Sequence, residues 1–245
     1  MSLTLNRQNA YRRRYARMTP GWQPATDVYE RLIRQYLQEG DTLLDLGCGR
    51  GGVLEQLTDM ALYAIGIDPD TDSLTEHRLP GLPRVTATST AIPLAPESCD
   101  MVICAWVMEH LAEPTATLHE VARVLKPGGI FICLTPNRHS PVARLNRALK
   151  RWQHFLVPLL YGREEADTFP VVYQANTPED IAELAYAVGL SPRATFLIHD
   201  PTYLAFNEAL FRLSVLLTHA LPARMAVHLL AVCAKKPAQP FWQVD

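Results

Sequence analysis

The 245 residues carry 23 Lys and Arg against 25 Asp and Glu, a formal charge of −2, and 48% of them are hydrophobic. That balance excludes a disordered chain and argues against bulk nucleic-acid binding, which draws on a strong positive surplus. The length suffices for one large α/β unit with cap insertions and a substantial core. Five cysteines (Cys48, Cys99, Cys104, Cys133, Cys233) include no Cys-x-x-Cys pair, and three sit in apolar, strand-like runs. They read as small buried hydrophobes of a reducing compartment. The amino terminus has no apolar signal-peptide core. The most apolar late stretch, 203–221, is interrupted by Asn207, Glu208, Arg212 and His219, so it does not read as a membrane span. A cytoplasmic location is therefore expected.

The chain opens on a basic, aromatic arm, 11-YRRRYARMTPGW-22, within residues 1–24. Tyr11, Tyr15 and Trp22 fit a lid closing over a ligand, or a solvated helix with an anchoring aromatic, or a patch for phosphate or a membrane surface. From 25 to 136, short apolar runs alternate with helical patterns. Strands are expected at 42–46, 62–67, 84–88, 101–106 and 130–135, and helices at 25–39, 51–60, 70–78 and 114–125. In the last of these, Leu118, Val121, Ala122 and Leu125 share one face, and Pro127-Gly128-Gly129 provides a stop. Runs that are apolar on both faces, joined by helices, imply a parallel, doubly wound Rossmann-like sheet.

Beyond 136 the pattern changes. A basic amphipathic stretch fills 141–162, with Arg144, Arg147, Lys150 and Arg151 among Leu145, Leu149, Trp152 and Phe155. A helix is expected at 178–189, with strands at 193–198 and 227–235. Segments 137–176 and 200–224 then read as cap insertions on a 25–136 core, within a single 1–245 unit.

The stretch 45-DLGCGRGG-52 joins the first strand to the helical pattern after it. Its glycines fit Gly-x-Gly-x-x-Gly (Gly47, Gly49, Gly52), a dinucleotide fingerprint, or Asp-x-Gly-x-Gly-x-Gly (Asp45, Gly47, Gly49, Gly51). Both need a turn that lets a ligand approach backbone atoms. Asp45 separates them. A carboxylate there repels a pyrophosphate but suits a cofactor with a cationic group, although it also fits a simple turn acceptor. Asp68, at the end of the second strand, can accept from both ribose hydroxyls of an adenosine, or cap the next helix.

Four ordered pieces, LLDLGCGRGG (43–52), GIDPD (66–70), AIPLAPESCDMVICAWVMEHL (91–111) and HEVARVLKPGGIFICLTPN (119–137), resemble the class I S-adenosylmethionine-dependent methyltransferases, specifically the small-molecule branch called type 11. The resemblance covers about 40–140 and implies a seven-stranded sheet with its last strand antiparallel. It implies S-adenosyl-L-methionine as cofactor and S-adenosyl-L-homocysteine as product. It puts Gly47, Cys48 and Gly49 at the methionyl part, with Asp45 near the amino group. Asp68 falls at the ribose, Ile67 and Pro69 beside the adenine, and Ala105 and Trp106 on the sulfonium side. An Asp usually meets the adenine amino group where this chain has Thr88, followed by Ser89. That departure leaves weaker adenine recognition or a non-catalytic cofactor-binding protein open.

Methyl transfer is an in-line displacement that rests mainly on positioning, with a base needed only for a protonated acceptor. His110, in 107-VMEHL-111, and His139, in the loop with Asn137 and Arg138, are the candidate bases. Ordinary polar contacts of Glu109-His110 and plain exposure of His139 are the alternatives. No metal is expected, because no Cys, His or acidic set has ligand spacing. The expected reaction moves a methyl to O, N or C of a small, hydrophobic or lipid-linked acceptor. A nicotinamide-dependent oxidoreductase is the rival. The basic amphipathic segments are also compatible with peripheral membrane contact.

Overall fold

The computed structural model describes residues 3–60, 62–148 and 171–237. Seven strands form one sheet: β1 (Thr42–Leu46), β2 (Tyr63–Asp68), β3 (Arg84–Thr86), β4 (Cys99–Ala105), β5 (Leu125–Pro136), β6 (Leu190–Ile198) and β7 (His228–Lys235). Their order is β3-β2-β1-β4-β5-β7-β6. The first five are parallel, while β7 runs antiparallel to both β5 and β6. The expected seven-stranded sheet with an antiparallel last strand is therefore present.

β1 and β4 are buried on both faces, which is why they read as largely apolar runs. One face carries α4 (Pro114–Val124) and α6 (Pro178–Ala187). There Leu118, Val121 and Ile181 pack on Val102, Phe131 and Leu229. The other face carries α2 (Ala25–Tyr36), whose Val28, Tyr29, Leu32 and Ile33 cover Leu43, Met101 and Ile132. The spacing of those four residues is one helical face, as the sequence indicates. α6 begins with a reciprocal capping box between Thr177 and Asp180.

Two local expectations are corrected. The helix expected over 51–60 is only a 3₁₀ turn at Val53–Gln56. Gly51 has φ +113° and Gly52 is extended, so the chain enters the turn too late to build a full helix before Thr58-Asp59. Arg34 then fixes the exit by donating to Gln56 O and pairing with Asp59. Second, α4 ends at Val124, and Leu125 already pairs with Cys99 in β5. The next pair of that ladder is Met101 with Ile130, so Lys126–Gly129 bulge out. The Pro-Gly-Gly group is a bulge inside the strand, not merely a helix stop.

The arm forms α1 (Leu5–Met18), and the 200–224 insertion holds α7 (Glu208–Ala220). They share a small core in which Tyr15, Phe211 and Val215 are buried. α5 (Pro141–Ala148) starts the amphipathic stretch expected at 141–162, of which 149–162 lies outside the described residues. No helix among the described residues is long and apolar enough to cross a membrane.

Candidate active site

The strand order reverses between β1 and β4, so their carboxyl ends diverge into a crevice. Asp45 ends β1 on one side of it, and Ala105 and Trp106 end β4 on the other. A cavity of about 600 Å³ opens here, and Asp45, Gly47, Cys48, Ala105 and Trp106 all line it.

The glycine loop is bent by its own residues. Gly47, Gly49 and Gly51 have φ of +79°, +47° and +113°. A Cβ on Gly47 would stand 2.1 Å from Val107 Cγ2, so no side chain fits there. Gly52 has an extended φ of −178° and open space around it. The three glycines the backbone requires are those of Asp-x-Gly-x-Gly-x-Gly, and the third glycine of the dinucleotide spacing is dispensable. The loop is tied down by Gly47 N and Cys48 N, which both donate to Ile67 O at 2.7 and 3.1 Å.

Asp68 stands under the loop. Its Oδ2 accepts from Gly49 N at 2.9 Å and its Oδ1 from Asp70 N at 2.8 Å. Each carboxylate oxygen keeps a second lone pair, so the orientation that holds the loop leaves acceptors for a pair of hydroxyls. Helix capping of α3 (Thr71–Thr75) falls to Asp70.

Asp45 is 6% exposed, and no described residue donates a hydrogen bond to its carboxylate. Burial, reinforced by the Asp68 charge, pushes its carboxyl up to about 7. An unpartnered buried carboxylate is a costly feature unless a ligand completes it. Two carboxylates at the mouth would repel a pyrophosphate and attract a cation. Trp106 adopts φ +61°, which an L residue holds only when its surroundings impose it, and Trp106 N donates to Leu134 O at 2.8 Å. The strain turns the indole to the cavity.

Other residues picked from the sequence lie farther from the loop. Ala87 N donates to Asp68 O, bringing Thr88 and Ser89 beside the end of β2. Thr88 is exposed with its hydroxyl 3.2 Å from that of Thr90, and Ser89 meets Thr117 at 2.8 Å. Pro69 is exposed. His110 comes after β4 in a 3₁₀ turn, 3.9 Å from Glu109, and is not on the wall of this cavity. Glu109 is buried, is raised by that burial and accepts from Thr135 Oγ1 at 3.0 Å. His139 N donates to Asn137 Oδ1. Asn137 is fully buried and donates to Arg224 O and Ala226 O, while Arg138 pairs with Asp180 at 3.2 Å. This loop ties the end of β5 to the turn before β7 and to α6.

In the arm, Tyr11 stacks on Phe211, Tyr15 lies edge-on to Trp22, and the Trp22 indole N–H donates to His199 O. Tyr15 and Trp22 line a separate cavity of about 690 Å³ against β6, away from the glycine loop. The opposite face of α1 does reach the crevice, through Leu5, Asn9 and Arg12. Arg12 pairs with the buried Asp200 at 2.9 Å and Arg14 with Glu208 at 2.6 Å, so two of the arm's charges are directed at the insertion.

Behind Trp106 lies a second chamber of about 210 Å³, whose walls include Leu5, Gln8, Arg12, Trp106, Tyr203 and His228. Leu5, Arg12 and Trp106 border both spaces, and His110 borders neither. Nothing in the sequence marks Gln8, Tyr203 or His228. The antiparallel return of β7 is what carries His228 to the end of β4. Among the described residues, no group of three or more His, Cys, Asp or Glu side chains is placed to hold a metal ion.

Comparison with known proteins shows what this part of the chain is similar to. A profile described as a methyltransferase domain matches residues 44–133. A "Probable S-adenosylmethionine-dependent methyltransferase" of Mycolicibacterium smegmatis is 36% identical over 114 residues, 45% of this chain and 43% of that protein. A ubiquinone biosynthesis O-methyltransferase of Cereibacter sphaeroides is 29% identical over 160 residues, 63% of this chain and 62% of the relative. The chain thus spans less than two thirds of these relatives. Geranyl diphosphate C-methyltransferase of Streptomyces coelicolor, solved with S-adenosyl-L-homocysteine, superposes with a TM-score of 0.61 at 12% identity, over 85% of this chain and 80% of that one. That likeness concerns the fold. The bare-glycine cradle and the unpartnered Asp45 fit the cationic amino group and sulfonium of S-adenosylmethionine. Residues 44–133 are thus similar to S-adenosylmethionine-dependent methyltransferase domains.

Proposed function

We propose that this chain transfers a methyl group from S-adenosylmethionine to an oxygen of a small, apolar, hydroxylated acceptor. The observation that carries the reading is Asp45: a buried, unpartnered carboxylate beside three obligatory glycines, facing Trp106 across a cavity of about 600 Å³. When bound, the cofactor supplies an electrophilic methyl on a sulfonium centre. Asp45 would hold its amino group, Gly47 and Gly49 would pass its methionyl chain, and Asp68 would take its ribose hydroxyls. Trp106 and Ala105 would wall the reacting side, and Thr88 and Ser89 the adenine end. Oxygen as the attacking atom is supported by relatives named as O-methyltransferases of ubiquinone biosynthesis.

On this reading the chain acts as one catalytic unit, with α1 and the 200–224 insertion roofing the crevice and excluding water. Positioning of this kind can account for roughly 7–11 kcal/mol of a methyl-transfer barrier. His110 and His139 stay candidates for proton traffic only if closure brings them to the crevice. Incubating the protein with methyl-labelled cofactor and a metabolite extract tests the reading. Label in a neutral, apolar methyl ether supports it, and label in amines or carbon skeletons replaces oxygen by nitrogen or carbon.

A membrane-borne acceptor is a second reading, favoured by α7. Its Leu210, Leu213, Leu216 and Leu217 are 38–69% exposed along one helix. Flotation with anionic vesicles checks it; protein left wholly at the bottom of the gradient contradicts it.

A further inference from the structure

The cavity of about 690 Å³ against β6 lies apart from the glycine loop, and its polar wall is one-sided. Its titratable and charged members are Tyr15 on α1, Arg31 on α2, His199 just after β6 and His219 on α7, and no Asp or Glu lines it. Arg31 Nε donates to Gln23 Oε1 at 3.3 Å, and both terminal guanidinium nitrogens lack a partner among the described residues. Arg12, Arg14 and Arg34, by contrast, each meet a carboxylate. The acids closest in sequence are engaged elsewhere: Asp27 accepts from Thr26, Glu30 pairs with Arg34, and Asp200 pairs with Arg12. Tyr15 is 3% exposed, yet its hydroxyl has no partner among the described residues and still reaches solvent. The same holds for both ring nitrogens of the half-buried His199. The exposed His219 ring lies 6.3 Å from that of Tyr15. Unpartnered hydroxyls of Thr19, Thr195 and Thr218 complete this wall, while the His199 carbonyl is already taken by the Trp22 indole N–H at 2.7 Å. Water can serve each donor singly, but cationic and neutral donors gathered without a carboxylate favour an anion.

We propose that this cavity binds a phosphate monoester group, with Arg31, His199, His219 and Tyr15 as its donors. A phosphate monoester carries a charge of about −1.5 to −2 near neutral pH and three terminal oxygens, enough acceptors for a guanidinium fork, two imidazoles and a phenol. A carboxylate offers two oxygens and one charge. Bound here, the anion joins α2 to α1 and α7, the two helices over the crevice. Burial, and then the approach of His219, hold the His199 imidazole below its usual range. An anion favours the protonated ring, so its imidazole titrates at higher pH in the complex than in the free protein. That contribution to binding is complete at low pH and is lost as pH rises through the His199 titration of the complex. The site is separate from the crevice, so it does not depend on which acceptor takes the methyl.

The test titrates the full chain with phenyl phosphate, and with benzoate as a carboxylate of similar size, while NMR follows the imidazole Cε1–H signals. Saturable shifts of the His199 and His219 signals are expected, with phenyl phosphate the tighter ligand. Arg31→Gln, at an exposed position, is expected to weaken phenyl phosphate about 10- to 100-fold with the Kd of S-adenosylhomocysteine unchanged. Tyr15→Phe keeps the ring against Trp22 and should cost about 3- to 10-fold. Sulfate keeps a fixed charge, so it isolates the titration of the protein. Its Kd should tighten roughly tenfold from about pH 8 to about pH 5.5, and His199→Gln should flatten that dependence. Vesicles of phosphatidic acid distinguish the source of the group: pelleting of the wild type but not of Arg31→Gln, with phenyl phosphate silent, identifies a lipid headgroup. Binding of phenyl phosphate identifies a soluble ester. Neither imidazole shifting and no pelleting that depends on Arg31 overturns the site. Benzoate binding as tightly as phenyl phosphate, or Arg31→Gln binding as tightly as the wild type, overturns its assignment.

Discussion

Replacing Asp45 by Asn should make the ligand-free protein more stable and its cofactor complex weaker. The carboxyl rises from an ordinary 3.8 to about 7 because it is buried beside Asp68 with no partner. The folded state thus holds the proton more tightly than the unfolded chain. That contribution is complete below about pH 4 and is lost as pH climbs towards 7. Above about pH 7 the folded protein carries an unfavourable buried charge worth up to about 4 kcal/mol, at about 1.4 kcal/mol per pH unit of displacement. Asn has the same shape and no charge. The variant should therefore exceed the wild type by about 2 kcal/mol near pH 5.5 and about 4 kcal/mol near pH 8. For a chain of this size each kcal/mol moves the midpoint about 2–4 °C, so thermal melts at the two pH values resolve it. With cofactor the sign reverses. Losing the charged partner of a buried amino group costs about 2–4 kcal/mol, roughly 30- to 1,000-fold in Kd. A variant that binds as well as the wild type, or a stability gain independent of pH, would refute the reasoning.

The same geometry dictates other outcomes. Gly47→Ala should abolish cofactor binding, because its Cβ meets Val107 Cγ2 at 2.1 Å, whereas Gly52→Ala, with nothing within 4 Å, should retain it in a titration. Arg12→Ala strands the buried Asp200 and should destabilise the fold by about 1–3 kcal/mol in urea unfolding, since Thr202 still donates to that carboxylate. All five cysteines are free and buried, with burial raising each thiol and pushing Cys48 and Cys233 up to about 12. A thiol reagent should find none in the native protein and five equivalents in denaturant.

The sheet was readable because parallel strands covered on both faces leave largely apolar runs, as in 42-TLLDL-46 and 101-MVICAW-106. Asp45, Gly47 and Gly49 were readable because a strand end, a carboxylate and a bare-glycine turn are adjacent in sequence. The 3₁₀ turn at 53–56 was missed because Leu54 and Leu57 share a face in either helix type, and only the backbone of Gly51 and Gly52 decides between them. In the arm, the aromatic residues drew attention, yet Leu5, Gln8, Asn9 and Arg12 form the face towards the crevice. Which face turns inward depends on where Phe211 and Asp200 lie, almost 200 residues later. Tyr203 and His228 lie 25 residues apart and meet only through the antiparallel pairing of β7, so no local pattern marks them.

The most direct test of the central claim is calorimetric titration of the purified chain with S-adenosylhomocysteine and, separately, with NAD. One S-adenosylhomocysteine bound per chain and no heat from NAD are expected. Saturable NAD binding without S-adenosylhomocysteine binding would contradict it.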